Sequence, residues 1–279
     1  MIDLPHLQSW IGREQVDRDV AALRHAQLMA ATIARPGPKL NDGDPLPPLW
    51  HWLYFLEGRP PAELGPDGHP ARGGFLPPVP LPNRMWAGGR VEFEAPIPLG
   101  TTMDKRSTVL SVEHKSGRSG ELVFVTVQHE LSVEGTRCIR EEHDIVYKGP
   151  APAGAAASGV AVPPGAHQRT IRPDSTLLFR YSALTFNGHR IHYDQDYCRQ
   201  VEGYDNLVIH GPLVATLLAG FAQEIGARPL RRLDYRGLRP AILGTSLTLN
   251  GELDAGGARV WSALPDGAAS MQARVAFVP

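Results

Sequence analysis

The sequence predicts an α+β fold made of two tandem units, each a main helix followed by a run of antiparallel strands. Three observations carry that prediction. Segments rich in Val and Thr follow one another with tight, Gly-containing turns between them, which is the pattern of an antiparallel sheet. A strongly apolar segment beginning at Pro212 has helix punctuation at both ends. A small-residue, Pro-rich stretch at 149–168, which cannot pack a core, separates the two series of strands.

In the first unit, Asp17 or Asp19 is placed to cap a helix on which Val20, Leu23, Gln27, Ala30 and Ala31 recur at helical spacing, ending before Pro36. Residues 35–82 are dense in Pro and Gly and hold an aromatic cluster, Trp50, Trp52, Tyr54 and Phe55. A stretch of that length is either a lid over a cavity or an ordered cover on the core, and its aromatics either pack beneath it or touch a ligand. Strands are expected at 90–94, 105–114, 121–133 and 136–147, with turns at 117–120 and 134–135. In the second unit a strand at 177–182 precedes an irregular stretch. A helix is expected over about 212–225, with Pro212 at its first position and Gly226 as the stop just beyond it. Strands at 233–235, 245–253, 258–263 and 269–277 complete the unit. The expected division is therefore 1–148, a linker at 149–168, and 169–279. An apolar helix wrapped by a curved antiparallel sheet is a two-layer arrangement, and two copies can pair edge to edge and so remove exposed sheet edges.

The bulk composition narrows the partners. The chain has 279 residues, 42% of them hydrophobic, enough for a real core in one large domain or two of ordinary size. With 28 basic and 29 acidic residues the net charge is -1, so there is no electrostatic footprint for nucleic acid or for an anionic membrane surface. An anionic ligand must be met by local arginines. The two cysteines, Cys138 and Cys198, are far apart and form no CxxC pattern, which fits a reducing compartment. The first residues lack the basic and apolar regions of a signal peptide, and no apolar run approaches the ~18 residues of a membrane span. A cytoplasmic location is expected.

Histidines gather in one segment. Residues 181–194 read Tyr-Ser-Ala-Leu-Thr-Phe-Asn-Gly-His-Arg-Ile-His-Tyr-Asp, and His210-Gly211-Pro212 opens the apolar helix. On a helix His189 and His192 would share a face for a metal. However, Asn187-Gly188 opens the segment as a turn and no third ligand stands at a recognised spacing, so no metal is expected. The other reading is acid–base chemistry, since a histidine exchanges protons near neutrality. The unpaired backbone N–H groups at a helix start stabilise a carbonyl oxygen that gains negative charge, and with Pro212 lacking an N–H, Gly211 is the donor. A base, a water and an oxyanion hole are the parts needed to hydrate an α,β-unsaturated thioester. The residues alone leave open the bland alternative, a hydrogen-bonded structural histidine beside an ordinary helix start.

The segment resembles the hydratase motif of the MaoC-like family, Gly-Asp-x-Asn-Pro-x-His followed by a helix with His-Gly near its start. Asn187 falls at the aspartate position, His189 at the asparagine, Arg190 at the proline and His192 at the histidine. The wording of 179–194 is similar to the branch that holds the mesaconyl-C4-CoA and itaconyl-CoA hydratases and the fungal-type mitochondrial 3-hydroxyacyl thioester dehydratases. So are Leu-Pro-Pro-Leu-Trp-His-Trp-Leu-Tyr-Phe-Leu at 46–56 and Leu-Pro-Asn-Arg-Met-Trp-Ala-Gly-Gly at 81–89. The resemblance implies a double hotdog fold whose second unit carries the motif and whose first unit shapes the acyl pocket. It also implies His192 and Asn187 as catalytic, with Gly211 as oxyanion donor. Trp86, Tyr181 and His189 become substrate-binding candidates. Asn187 departs from the pattern, because an amide cannot exchange a proton at neutral pH. His192 then carries proton transfer alone or shares it with a group the sequence does not identify; Asp194 is the nearest carboxylate.

No Gly-x-Gly-x-x-Gly follows a strand and no P-loop is present. No separate cofactor is expected, and coenzyme A enters as part of the substrate. Arg231, Arg232, Arg236 and Arg239 follow the central helix, either as phosphate-binding cations, with Arg236 and Arg239 the candidates, or as a solvated loop. Arg84 is the candidate fork for a carboxylate on the acyl group. The expected activity is a hydro-lyase that interconverts mesaconyl-C4-CoA or itaconyl-CoA with citramalyl-CoA. The alternatives are a 3-hydroxyacyl thioester dehydratase of fatty-acid synthesis and a non-catalytic acyl-CoA-binding module. A monomer and a homodimer are both compatible with the sequence.

Overall fold

The computed structural model describes residues 2–117, 120–149, 159 and 161–279. Its strands are β1 (Glu14–Val20), β2 (Asn83–Phe93), β3 (Thr102–Gly117), β4 (Gly120–Val133), β5 (Thr136–Lys148), β6 (His167–Ile171), β7 (Leu230–Gly237), β8 (Leu247–Leu253), β9 (Gly257–Ala263) and β10 (Ala269–Phe277). They form one ten-stranded sheet in the order β1-β3-β4-β5-β2-β7-β10-β9-β8-β6, antiparallel at every pairing. Counting inward from each outer edge, the first five strands and the last five have the same order, so the sheet is two copies of one unit joined at β2·β7. This is the expected two-unit fold.

The join is made by alternation. Gly88, Gly89, Arg90, Val91 and Glu92 pair with Arg236, Tyr235, Asp234, Leu233 and Arg232. Val91 and Leu233 are fully buried on the inner face. On the outer face Arg232 reaches Glu92 at 2.8 Å, and Arg90 reaches Glu142 and Asp144 at 2.8 Å each. Hydrophobic pairs inside and opposite charges outside fix the register, because a slip of one residue would exchange the two faces. Gly88 and Gly89 allow the backbones to close up: a Cβ on Gly88 would lie 2.5 Å from the Tyr235 carbonyl oxygen.

The helices are α1 (Leu4–Gln8), α2 (Leu23–Thr32), α3 (Ser175–Leu184), the single turn α4 (Gln195–Tyr197) and α5 (Gly211–Gly226). Buried residues lie almost all round α5, from Leu213 to Ala222, as expected of a helix enclosed by a sheet. The strands β7–β10 wrap it. Each fully buried Leu contributes about 1.5–3 kcal/mol, so α5 is a firmly held rod and its N-terminus a fixed point.

Several expectations are corrected. Residues 14–20 form β1 and not the start of a helix. Asp19 accepts from the Phe55 N–H at 2.7 Å, and α2 has Ala22 at its N-cap with no side-chain cap. Residues 177–182 belong to α3 and not to a strand. Asp174 caps it by accepting from the Leu177 N–H at 2.8 Å, and Leu178, Tyr181 and Leu184 bury one face at helical spacing. The helix α5 includes Gly226, and Ala227 takes the left-handed cap; glycine at 226 serves close packing instead, because a Cβ there would clash with the Phe277 ring. The two units also differ in their helices. Chain order makes α2 the counterpart of α3, while the first half has no counterpart of α5 and has the irregular segment 33–82 in that place. Of the stretch read as a linker, 150–158 and 160 lie outside the described residues. Its later part is docked on the second half, with Val162 donating to the Gly267 carbonyl at 2.9 Å, and β6 begins at His167.

Gly88→Ala should destabilise the fold by about 1–3 kcal/mol, the usual cost of overpacking. Urea unfolding is the check, and an unchanged midpoint would show that the seam tolerates a side chain.

Candidate active site

Because the first half lacks a helix like α5, the concave face of its sheet is not filled from within. A cavity of about 2260 Å³ opens there and runs to the start of α5, with walls from both halves. Three structural features bring functional side chains onto it.

The first is the turn at 186–194. Phe186 is in the left-handed region with φ 48°, and the Asn187 Oδ1 accepts from the His189 N–H at 2.9 Å. A 3-10 turn, Arg190–His192, then buries His192. The His192 Nδ1 lies 2.7 Å from the Val208 carbonyl oxygen. A carbonyl only accepts, so Nδ1 carries the hydrogen and Nε2 presents a lone pair on the cavity wall. Burial holds the His192 imidazole down at about 4, and His69 adds to that effect. Asp194 turns away: it caps α4 by accepting from the Tyr197 N–H at 2.9 Å and pairs with Arg190 at 2.7 Å.

The second is the start of α5. His210 is its N-cap residue, completely buried, stacked on His192 with ring centroids 3.6 Å apart and bonded through Nε2 to the Ser182 hydroxyl at 2.8 Å. Gly211 faces Trp86, and a Cβ there would sit 3.1 Å from the indole. Trp86 reaches this position because the β2·β5 register shifts between Trp86 and Gly88. The indole stands edge-on to Trp52 at 4.9 Å and to His143 at 5.3 Å.

The third is the polar floor of the first half. Glu141, 2% exposed, lies 2.9 Å from His51 Nε2 and accepts from the Trp52 indole N–H at 3.0 Å. Burial opposes its charge, but the His51 contact, with smaller contributions from His129 and His143, holds the carboxyl at about 2. Burial holds His129 and His143 at about 4. This floor is not legible in the sequence. His51, Glu141 and His143 come from segments that read only as an aromatic cover and a strand.

The structure brings most of the expected residues to one cavity: His192, Asn187, Gly211, Arg84, Trp86, Tyr181, His189, Arg236 and Arg239 all line it. They are not equally available. Tyr181 is 2% exposed and stands edge-on to His210, so it supports the wall. Arg239 is paired with Asp266 and Arg232 with Glu92 and Asp234, while Arg231 is not on the cavity. The four arginines therefore do not act as one cluster. Among the described residues Arg84 and Arg236 are in no ion pair. Of the aromatic cluster, Trp50 is core, whereas Trp52, Tyr54 and Phe55 line the cavity. Both cysteines are free and buried.

His189 and His192 do not share a helix face; their rings stand edge to face at 5.5 Å. The groups that approach His189 come instead from the first half. Asp67, His69 and His189 have ligand atoms within 4.8 Å of one another. His69 Nδ1 is already bonded to the Asp67 carboxylate at 3.2 Å, and Arg72 and Arg84 both act on His69 with positive charge. Two cations facing the same space oppose a metal ion there. The arrangement is an oriented imidazole.

A model of the family described as hydroxyacyl-thioester dehydratase type 2 matches residues 49–243. The chain is 47% identical over 235 residues to the mesaconyl-C(4)-CoA hydratase of Chloroflexus aurantiacus, covering 83% of this chain and 84% of that one. Among solved structures it is similar to a MaoC-like dehydratase from Phytophthora capsici, with TM-score 0.75 at 14% identity over 99% of this chain and 98% of that one. It is also similar to a Mycobacterium tuberculosis protein described as having a double hotdog fold, with TM-score 0.56 at 13% identity over 96% of each. The fold is a double hotdog.

The neutral buried histidines set a pH dependence. His129, His143 and His192 are held at about 4 in the fold, against an ordinary 6.5. The unfolded chain therefore binds more protons between those values, and stability should fall as pH drops through that window. Each such histidine contributes at most about 1.4 kcal/mol per pH unit. Urea midpoints measured between about pH 7 and pH 4 should show the loss, with a shallower slope for His143→Phe. A flat profile would mean that these rings take up protons in the fold as readily as in the unfolded chain.

Proposed function

This chain belongs to the hydroxyacyl-thioester dehydratase type 2 family, and on that premise we propose that it is a hydro-lyase for a short enoyl-CoA bearing a free carboxylate. The preferred substrates are mesaconyl-C4-CoA and itaconyl-CoA, hydrated to citramalyl-CoA. The observation that carries this reading is the tautomer of His192. Its Nδ1 is committed to the Val208 carbonyl, which leaves the Nε2 lone pair for a water in a cavity that also holds the start of α5.

In the proposed reaction, written for mesaconyl-C4-CoA, His192 Nε2 accepts a hydrogen bond from the attacking water while the water oxygen bonds Cβ. The π electrons move toward the thioester carbonyl. The Gly211 N–H, at the positive end of α5, stabilises the oxygen that gains charge. The proton lost by water is returned to Cα, so water is the one co-substrate and coenzyme A leaves as it came, bound to the acyl group. Asn187 holds the turn that presents His189 and His192. Arg84 is the fork for the acyl carboxylate: it lines the cavity, and its charge acts on His69, His143 and His189. Arg236, exposed on the rim, suits a coenzyme A phosphate. Among the described residues no helix is long and apolar enough to cross a membrane, and the two free thiols suit a cytoplasmic enzyme.

The size of the cavity favours a second reading, a 3-hydroxyacyl thioester dehydratase with room for a longer acyl chain. The polar floor of His51, His129, Glu141 and His143 argues for a short, polar acyl group instead, because an alkyl chain laid on it gains nothing.

Loss of enoyl absorbance on mixing with mesaconyl-C4-CoA, itaconyl-CoA and crotonyl-CoA tests the reading. Fast turnover of the first two is expected, and preference for crotonyl-CoA or longer chains would favour the dehydratase. His192→Ala should lower kcat by ~10² or more. Arg84→Gln should raise KM for the carboxylated substrates about tenfold or more, the scale of one charge-assisted hydrogen bond, and leave crotonyl-CoA little changed. No turnover with any thioester would leave an acyl-CoA-binding module.

A further inference from the structure

The motif presents an amide, Asn187, where a carboxylate is expected, and among the described residues His192 has no carboxylate in hydrogen-bond contact; its one bonded neighbour is the Val208 carbonyl. An imidazolium formed there would be buried without a counter-charge, which is costly. The first half supplies what is missing. Residues 65–69, Gly-Pro-Asp-Gly-His, form a turn closed by the Gly65 N–H donating to the His69 carbonyl at 2.7 Å. The turn is docked on the second half: the Arg190 N–H donates to the Asp67 carbonyl at 2.9 Å, Arg190 also donates to the Pro66 carbonyl at 3.2 Å, and a Cβ on Gly68 would lie 2.0 Å from the Gly188 carbonyl oxygen. Asp67 grips His69 twice, accepting from its backbone N–H at 3.0 Å and from Nδ1 at 3.2 Å. That leaves His69 Nε2 as an acceptor. The His69 ring is 4.3 Å from His189, which is 5.5 Å from His192, and all three line the cavity.

We infer that His69, oriented by Asp67, carries the proton between water and Cα while His192 orients the water, so that His69 stands in for the acid the motif lacks at Asn187. This rests on the hydratase reading and adds a residue to it. The attacking water gives one hydrogen bond to His192 Nε2 and the other to His69 Nε2. As its oxygen bonds Cβ, the O–H bond toward His69 breaks and the proton passes to His69. The resulting imidazolium is paired with Asp67, among the described residues the one anion bonded to either ring. The π electrons rest on Cα and the thioester carbonyl until Cα takes the proton back from His69, which returns to its neutral state. Dehydration runs the same steps in reverse, with His69 taking the proton from Cα. Asp67 is a positioning residue and touches no substrate.

The groups that face His69 come from three places. Asp67 and Arg72 lie on its own segment and Arg84 on β2, while His189 and His192 approach from the second half, with Arg190, itself paired with Asp194, packed behind Gly68. Burial and the two arginines lower the affinity of His69 for a proton, and Asp67 raises it. The acid limb of activity, where His69 becomes protonated, should therefore move to lower pH when Asp67 is replaced.

The test is the pH–rate profile of wild type, His69→Gly and Asp67→Asn on the enoyl-CoA that wild type hydrates, with thermal melts to confirm folding. His69→Gly should lose ~10² in kcat, the usual share of one acid–base group, with KM little changed, and added imidazole should restore part of the loss. Asp67→Asn should lower kcat less and move the acid limb downward, and a histidine NMR titration of His69 should move with it. A folded His69→Gly with wild-type kcat and an unshifted profile would overturn this inference while leaving the hydratase reading intact, as would a loss in KM alone without imidazole rescue. Absence of turnover by wild type on every enoyl thioester would instead defeat the hydratase reading, and the role of His69 with it.

Discussion

Everything at the cavity depends on the pairing of β2 with β7. This seam is where strands of the two five-stranded units pair through backbone hydrogen bonds, and it is specified on both faces. Val91 and Leu233 close the inner side, and the ion pairs of Arg90 and Arg232 close the outer side. Two glycines on β2 let Tyr235 approach, and the irregularity just before them moves Trp86 out of register and onto Gly211. One local feature of one strand thus sets the wall against which the start of α5 is presented.

Given that seam, the difference between the halves becomes functional. A unit that keeps its long helix fills its own sheet, as α5 does. A unit without one must leave its concave face to something else, and here that face is the cavity. Its floor is unusually polar for a core: a carboxylate that is almost wholly buried, held by an imidazole and an indole, with two more histidines nearby. Such groups add little net stability, since desolvation offsets most of what the contacts return. They are better understood as the lining of a binding site than as part of the framework.

Burial of these groups also governs the proton chemistry. His129, His143, His189 and His192 are held neutral mainly by burial, so these rings offer a lone pair and resist charge. A reaction that moves a proton from water to carbon needs a group that takes charge briefly and gives it up again. Of the rings in contact with the turn at 186–194, His69 is the one with a bonded carboxylate, and it belongs to the other half of the chain. The docking of residues 65–69 on 187–190 is therefore more than a packing contact.

Much of this was legible in the chain. Alternation located β3, β4, β5, β9 and β10 closely, since a two-residue period of Val and Thr with Gly turns has few other solutions. Pro212 marked α5, and the motif around His192 identified the segment that lines the cavity. The errors arose where local signals competed. Asp17 and Asp19 read as caps, yet residues 14–20 pair with β3, and the apolar run at 177–182 read as a strand although Asp174 caps a helix there. What the sequence determined by itself is what periodicity and a contiguous motif encode: the order of elements, two similar units, and one half of the candidate site. The other half was decided by tertiary structure alone. Asp67 and His69 lie more than a hundred positions before His192 in a Pro- and Gly-rich stretch with no period, and they become neighbours of His189 because β2 pairs with β7 and carries that stretch across the seam.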